Sequence, residues 1–255
     1  MRFASLGSGS QGNSLVVEAG RTRLLLDCGF GLAATENRLG RLGLVPSDIS
    51  GIVVTHEHED HIGGVARLAR RHGIPVWLTP GTLTGFEALF AEVAEVRMVH
   101  NYEAFTVGNL HVQPFPVPHD AREPAQYVFG DGARRLGVLT DTGCSTRHIE
   151  AVLSGCDALV LECNHDAEML RVSSYPQRLR ERIAGRFGHL DNGAAAELLG
   201  RLENGRLKHL VAAHLSQENN HPDLVRAALS EVMNCEPEWI AIADQDNGFA
   251  WRQIL

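Results

Sequence analysis

The sequence predicts an α/β protein of four layers, an αββα sandwich with two facing sheets and helices on both outer sides. Three observations carry that prediction. The chain moves twice from a strand-rich stretch into strand–helix alternation. Each alternation leaves a His or Asp at the C-terminal end of an apolar strand: His56, Asp141 and His214. At 255 residues the chain can bury a substantial core, and its 26 glycines supply the tight turns that many short elements need. Ligand-bearing loops converge at strand ends, so two facing sheets would bring these residues to one edge.

Residues 2–6 and 13–26 read as short strands, the second stretch turning at Ala19-Gly20-Arg21 and ending at Asp27 of "LLLDCG". The glycine-rich loop from Gly7 to Asn13 lies between strands. It fits neither a dinucleotide fingerprint nor a Walker loop, and its backbone N–H groups are available to a site. A short helix is expected over 35–43, a buried strand over 51–55, a helix over 61–73 and a strand over 74–79. Residues 81–94 look helical. Strands follow at 104–116, 125–130 and 135–140, then a buried strand at 157–163 and helices at 174–187 and 191–203. A strand at 209–214, a helix at 222–233 and strands near 239–242 and 248–252 close the chain. No linker or low-complexity tract interrupts it, which predicts one domain over 1–255.

No apolar stretch reaches the ~18–20 residues of a membrane helix. The N-terminus lacks the apolar core of a secretory signal, so a cytoplasmic protein is expected. Five cysteines, an odd number without a CxxC pair, suggest buried hydrophobes rather than disulfides or a zinc knuckle. A net charge of -8 excludes coating nucleic acid through bulk positive charge, though not cutting it. The basic residues are clumped: "RVSSYPQRLRERIAGR", 171–186, holds five arginines against one glutamate.

The segment that asks for chemistry is "VVTHEHEDHIGG", 53–64. His56 and His58 are two apart and point the same way on an extended backbone, while Asp60 and His61 follow on a turn entering a helix. One loop can thus present four ligands to two adjacent cations, with Gly63 and Gly64 allowing close backbone approach. The HExxH pattern of helical zinc proteases fails, since positions 60 and 62 are not histidine.

"THEHEDH" resembles the HxHxDH motif of the metallo-β-lactamase fold, and "LLLDCG", "PVPHD", "LTDTG" and "AAHLSQENN" resemble its other motifs in order. "SLGSGSQGNS", "LECNHD", "SSYP", "GHLDN" and "HLSQENN" together resemble the YycJ/WalJ branch. That branch implies a 5′-to-3′ exonuclease on double-stranded DNA, related to tRNase Z and RNase J. Asp191 departs from the expected GHLSN, a change that touches only a helix cap. The chain is too short for a β-CASP insertion.

Carried over residue by residue, the resemblance implies that His56, His58 and His119 hold one metal. It implies that Asp60, His61 and His214 hold a second, with Asp141 bridging. Imidazole and carboxylate donors suit two divalent ions of zinc, manganese or iron. Cations ~3.5–4 Å apart can share a hydroxide nucleophile and neutralise the leaving oxygen. Asp27 either orients the histidine loop or caps the turn at Gly29. Glu162 orienting His189 would supply a general acid or phosphate ligand; alternatively both are loop residues bonded to backbone. His165, Ser216 and Asn219 are candidate substrate contacts. Arg178 and Arg182, i and i+4 on a helix, form either a phosphate track or a solvated face. His72, His100, His111, His148, His209 and His221 match no ligand spacing. A thioester hydrolase of the glyoxalase II kind is the alternative activity, and a non-catalytic scaffold fits poorly with a full ligand set. His58 speaks against an oxygen-reducing diiron protein, which would carry Glu there.

Overall fold

The computed structural model describes residues 1–255. Chain order gives β1 (Arg2–Gly7), β2 (Ser14–Ala19), β3 (Thr22–Leu26), β4 (Gly51–Val53), β5 (Val76–Leu78) and β6 (Val96–Met98). They are followed by β7 (Phe105–Val107), β8 (Leu110–Pro116), β9 (Ala125–Gly130), β10 (Arg135–Leu139), β11 (Ala158–Glu162), β12 (His209–Ala213), β13 (Ala241–Ile242) and β14 (Phe249–Gln253). Two seven-stranded sheets result, ordered β14-β1-β2-β3-β4-β5-β6 and β13-β12-β11-β10-β9-β8-β7. Every strand belongs to one of them, and there is no β-CASP insertion. No helix is long and apolar enough to cross a membrane.

Each sheet is antiparallel on one side and parallel on the other. β3 to β6 run parallel, as do β10 to β13. The inner parallel strands β4, β5 and β11 are buried along their whole length, which is why they read as nearly unbroken apolar runs. Leu24 and Leu26 point between the sheets while Leu25 points to the helices, the period-two alternation of a strand. Three buried clusters follow, one between the sheets and one outside each, and three cores require four layers. The Tyr127 hydroxyl donates to the Val54 carbonyl at 2.8 Å and ties the sheets together near the histidine loop. Truncating Leu25 to Ala would cost about 2–5 kcal/mol, because its pocket is closed on all sides.

Several expectations need correction. The helix expected over 61–73 is two pieces, Glu59–Ile62 and Val65–His72. Gly64 breaks it: its N–H donates to the Cys28 carbonyl at 2.8 Å, and a Cβ there would lie 1.9 Å from the Phe30 carbonyl oxygen. Residues 81–94 form only single turns, Pro80–Leu83 and Glu87–Phe90, separated by Gly85 at φ 90°. The helix expected over 174–187 shrinks to Gln177–Ile183 and buries none of its residues, which leaves Arg186 outside it. Helices Arg147–Leu153 and Ala167–Val172 and strand β6 were not anticipated. The two helices do carry start signals: Thr146 accepts from Ile149 N–H, and Asp166 from the N–H groups of Glu168 and Met169.

Candidate metal centre

The parallel strands of both sheets end on one edge, and the residues singled out above collect there. Asp27 follows β3, Asp141 follows β10 and His214 follows β12, and all three have left-handed backbone, φ 60°, 49° and 56°. Such a conformation costs roughly 1–3 kcal/mol for a residue other than glycine. At each position it turns the chain sharply off the strand end and leaves the side chain buried in the cluster.

Thr55 organises the histidine loop. Its hydroxyl donates to Asp27 Oδ2 at 2.8 Å, so it can only accept from His56 Nδ1 at 2.9 Å. That assignment leaves a lone pair on His56 Nε2, which is buried and has no hydrogen-bond partner. Asp27 also accepts from Thr55 N–H and from His61 Nδ1, both at 2.8 Å, and thereby aims His61 Nε2 at the cluster. Of its two candidate roles, orienting the loop is the one these contacts serve. His119 Nδ1 donates to the Gly188 carbonyl at 3.0 Å, which leaves Nε2 facing His58 Nδ1 at 3.3 Å.

Two trios of donor atoms result, His56–His58–His119 and Asp60–His61–His214, each with its atoms within 4.8 Å of one another. Asp141 stands between them. Its Oδ2 is 3.0 Å from His61 Nε2 but makes no hydrogen bond, and it groups equally with His56. Asp60 Oδ2 lies 3.4 Å from both His61 Nε2 and His214 Nε2. Two buried ligand atoms without partners, His56 Nε2 and Asp141 Oδ2, set among further imidazole and carboxylate donors, are what a cation site requires. The residues present therefore fit two cations.

The electrostatics agree. Burial opposes charge on His61, but Asp141 and Asp27 outweigh it and hold the imidazole well above its ordinary pKa. Burial likewise opposes charge on His214, yet Asp141 and hydrogen bonds to Asp60 and Glu162 push it up to about 10. Burial would raise Asp141; the charges on His214 and His61 hold it well below the carboxylate range. Burial, with His61 next, drives His56 well below.

Glu162, fully buried, does more than its sequence position suggested. Oε1 accepts from His189 Nδ1 at 2.8 Å and His214 Nδ1 at 3.2 Å, while Oε2 accepts from the N–H groups of Thr142 and Leu190. Burial would raise its pKa, but the charge and hydrogen bond of His189 bring it to about 2.

A cleft of about 380 Å³ opens over the cluster, walled by His58, Asp60, His189, Arg182, Tyr175 and Ser216 among others. The structure does not bring Arg178, His165 or Asn219 into this wall. Arg178 is exposed on the outer side of its helix. His165 is buried toward a neighbouring cleft with Arg171 and Arg180, on the far side of Gln177–Ile183. Asn219 is buried in its own loop, donating to Ser216 Oγ and accepting from Asp166 N–H through backbone groups. Two residues were missed. Asn13 Nδ2 reaches Asp60 Oδ2 at 3.2 Å and His61 Nε2 at 3.1 Å, so the opening loop lends a side chain as well as the Asn13 N–H, which donates to the Asp60 carbonyl at 2.8 Å. Asp120 sits 3.5 Å from His119 Nε2 and accepts from Arg182 Nε at 2.6 Å. Both lie inside quoted motifs, Asn13 in "SLGSGSQGNS" and Asp120 in "PVPHD", where the carboxylate next to His119 was the clearer signal.

The beta-lactamase superfamily domain profile matches residues 22–214, a span that contains both trios. The chain belongs to the metallo-β-lactamase-fold superfamily. Within it, the chain is 38% identical to Exodeoxyribonuclease YycJ of Bacillus anthracis over 235 residues, 91% of this chain and 89% of that one. It is 34% identical to Exodeoxyribonuclease WalJ of Streptococcus pneumoniae serotype 2 (strain D39), covering 89% and 86%. The metallo-beta-lactamase fold protein YhfI from Bacillus subtilis shares the fold, with TM-score 0.76, 17% identity and 98% of both chains covered. These matches assign the chain to the YycJ/WalJ branch of the superfamily. At the one departure from that branch, Asp191 caps helix Asn192–Arg201 by accepting from Ala194 N–H at 2.8 Å, as a serine would.

Proposed function

We propose that this chain is a metal-dependent nuclease that hydrolyses phosphodiesters of DNA from the 5′ end, as a single hydrolase domain acting in the cytoplasm. One observation carries the choice of chemistry: His189, held at Nδ1 by the buried Glu162, lies between the donor trios and walls the cleft. Breaking a phosphodiester expels an alkoxide, which needs a proton. A thioester expels a thiolate of pKa about 8.5, which leaves without one. A built proton donor favours the nuclease over the thioester reading. The names of the two relatives, both exodeoxyribonucleases, support DNA and an exonuclease mode.

On this reading His56, His58 and His119 would hold one divalent ion and Asp60, His61 and His214 the other, with Asp141 shared; zinc, manganese and iron all suit these donors. When bound, the ions supply Lewis-acid activation of water and charge neutralisation at the diester. Glu162 accepts from His189 Nδ1 and favours the imidazolium, whose Nε2–H then faces the leaving oxygen. Arg182 turns from Asp120 to a neighbouring phosphate, and Ser216 offers a hydroxyl on the opposite wall. The deciding test is degradation of 5′- and 3′-labelled DNA and RNA, single- and double-stranded, with manganese and zinc compared. Release of 5′-label first from DNA is expected. Brisk thioester cleavage with no phosphodiester cleavage would hand the site to the alternative.

A further inference from the structure

We propose a second anion site, for the phosphate groups of a nucleotide or a nucleic-acid backbone, at the opposite edge of the second sheet from the metal centre. A cleft of about 580 Å³ lies there, walled by His111, Gln113, Arg134, Arg135 and Arg206 with no acidic side chain in its lining. In a chain of net charge -8 that is a local reversal of sign.

The arginines are held in place from beneath. Asp157, 1% exposed, accepts through Oδ1 from Arg206 at 3.1 Å and Arg134 at 3.4 Å, and through Oδ2 from Arg135 N–H at 2.9 Å. Two guanidinium groups therefore meet at one carboxylate oxygen, and a third charge, on Arg135, is fixed by the carbonyls of Val152 and Ser154. One buried negative charge faces three positive ones. Asp131, in the adjoining hairpin, is engaged by the N-terminal amine at 3.1 Å.

Each guanidinium has five N–H donors, and Asp157 takes one from Arg134 and one from Arg206. The remainder, with the donors of His111 and Gln113, match a tetrahedral oxyanion. Arg206 is 60% and Arg134 36% exposed, so an anion can reach them.

Geometry separates this cleft from the metal centre. Arg135 opens β10 and Asp141 follows its end, six residues later and roughly 20 Å along an extended strand. Val112 faces the inter-sheet core, so His111 and Gln113 face the outer side of the sheet, where the cleft opens. A small diester at the metal centre cannot touch it. The site stands apart from the nuclease reading; only the identity of the phosphate carrier touches it.

The test titrates the metal-loaded protein with inorganic phosphate while following arginine side-chain Nε–H resonances. Arg134 and Arg206 should shift saturably. Arg206→Gln should weaken phosphate at least tenfold. Gln113→Trp, which fills the cleft and leaves Asp157 its partners, should do the same. Turnover of bis-p-nitrophenyl phosphate should stay unchanged in both. Non-saturable shifts, or wild-type titration of Gln113→Trp, would overturn the site. Binding of a nuclease-resistant phosphorothioate duplex distinguishes the carriers. If the backbone occupies the cleft, Arg206→Gln weakens duplex binding and lowers its salt slope by about 0.9. If a free phosphate compound does, duplex binding is unchanged while phosphate binding still falls. Either pattern sustains the site.

Discussion

The two sheets contribute to the candidate metal centre in different ways. The first sheet supplies His56, His58, Asp60 and His61 from one loop, with His56 and His61 braced through Thr55 and Asp27 and Asp60 held by Asn13. The second supplies His119, Asp141, His189 and His214 from separate strand ends and loops, with His119 tied to Gly188 and both His189 and His214 tied to Glu162. The lesson concerns how each half fails. Damage to the single loop should spread to every ligand on it, while damage on the dispersed side should stay local except at Glu162, which braces two histidines.

The largest expected effect is at Asp60→Ala. Losing a ligand that faces both His61 and His214 should release one metal and slow diester hydrolysis about a thousandfold, on the order of 4 kcal/mol, with circular dichroism unchanged. Retained hydrolysis would show that the loop does not act as a unit. Next comes the dispersed side. His189→Ala should lower kcat by roughly 10²–10⁴ with metal content intact. Glu162→Gln should lower both turnover and metal content, since it also releases His214. Equal metal content in the two variants would remove the distinction. Asp27→Asn removes no ligand, yet should weaken metal binding by roughly 10–100-fold through its hydrogen bond to His61. The smallest contrast lies on helix Gln177–Ile183. Arg182→Ala should weaken long DNA and flatten its salt slope by about 0.9, whereas Arg178→Ala should not. Matching slopes would return both arginines to solvent.

The contrast between the sheets also explains what the sequence disclosed. A contiguous motif such as "THEHEDH" is legible because its spacing alone puts donors together. The two-sheet architecture was legible because the inner parallel strands are apolar on both faces, whereas the exposed edge strand β6, with Arg97, was not. Asn13, Asp120 and the placement of His165 were not, since each depends on which loop packs against which. The arginine helix was overextended because "SSYPQRLRERIAGR" has helical composition, but Pro176 starts it late and Gly185 follows its end. No local signal announced that Asp27, Asp141 and His214 would adopt left-handed backbone.

The central claim is that both halves meet around two cations. Elemental analysis of the purified chain after gentle reconstitution tests it most directly. Two divalent ions per chain are expected, falling by one in Asp60→Ala. A repeated result of no bound metal, or of one ion in the wild type, would contradict it.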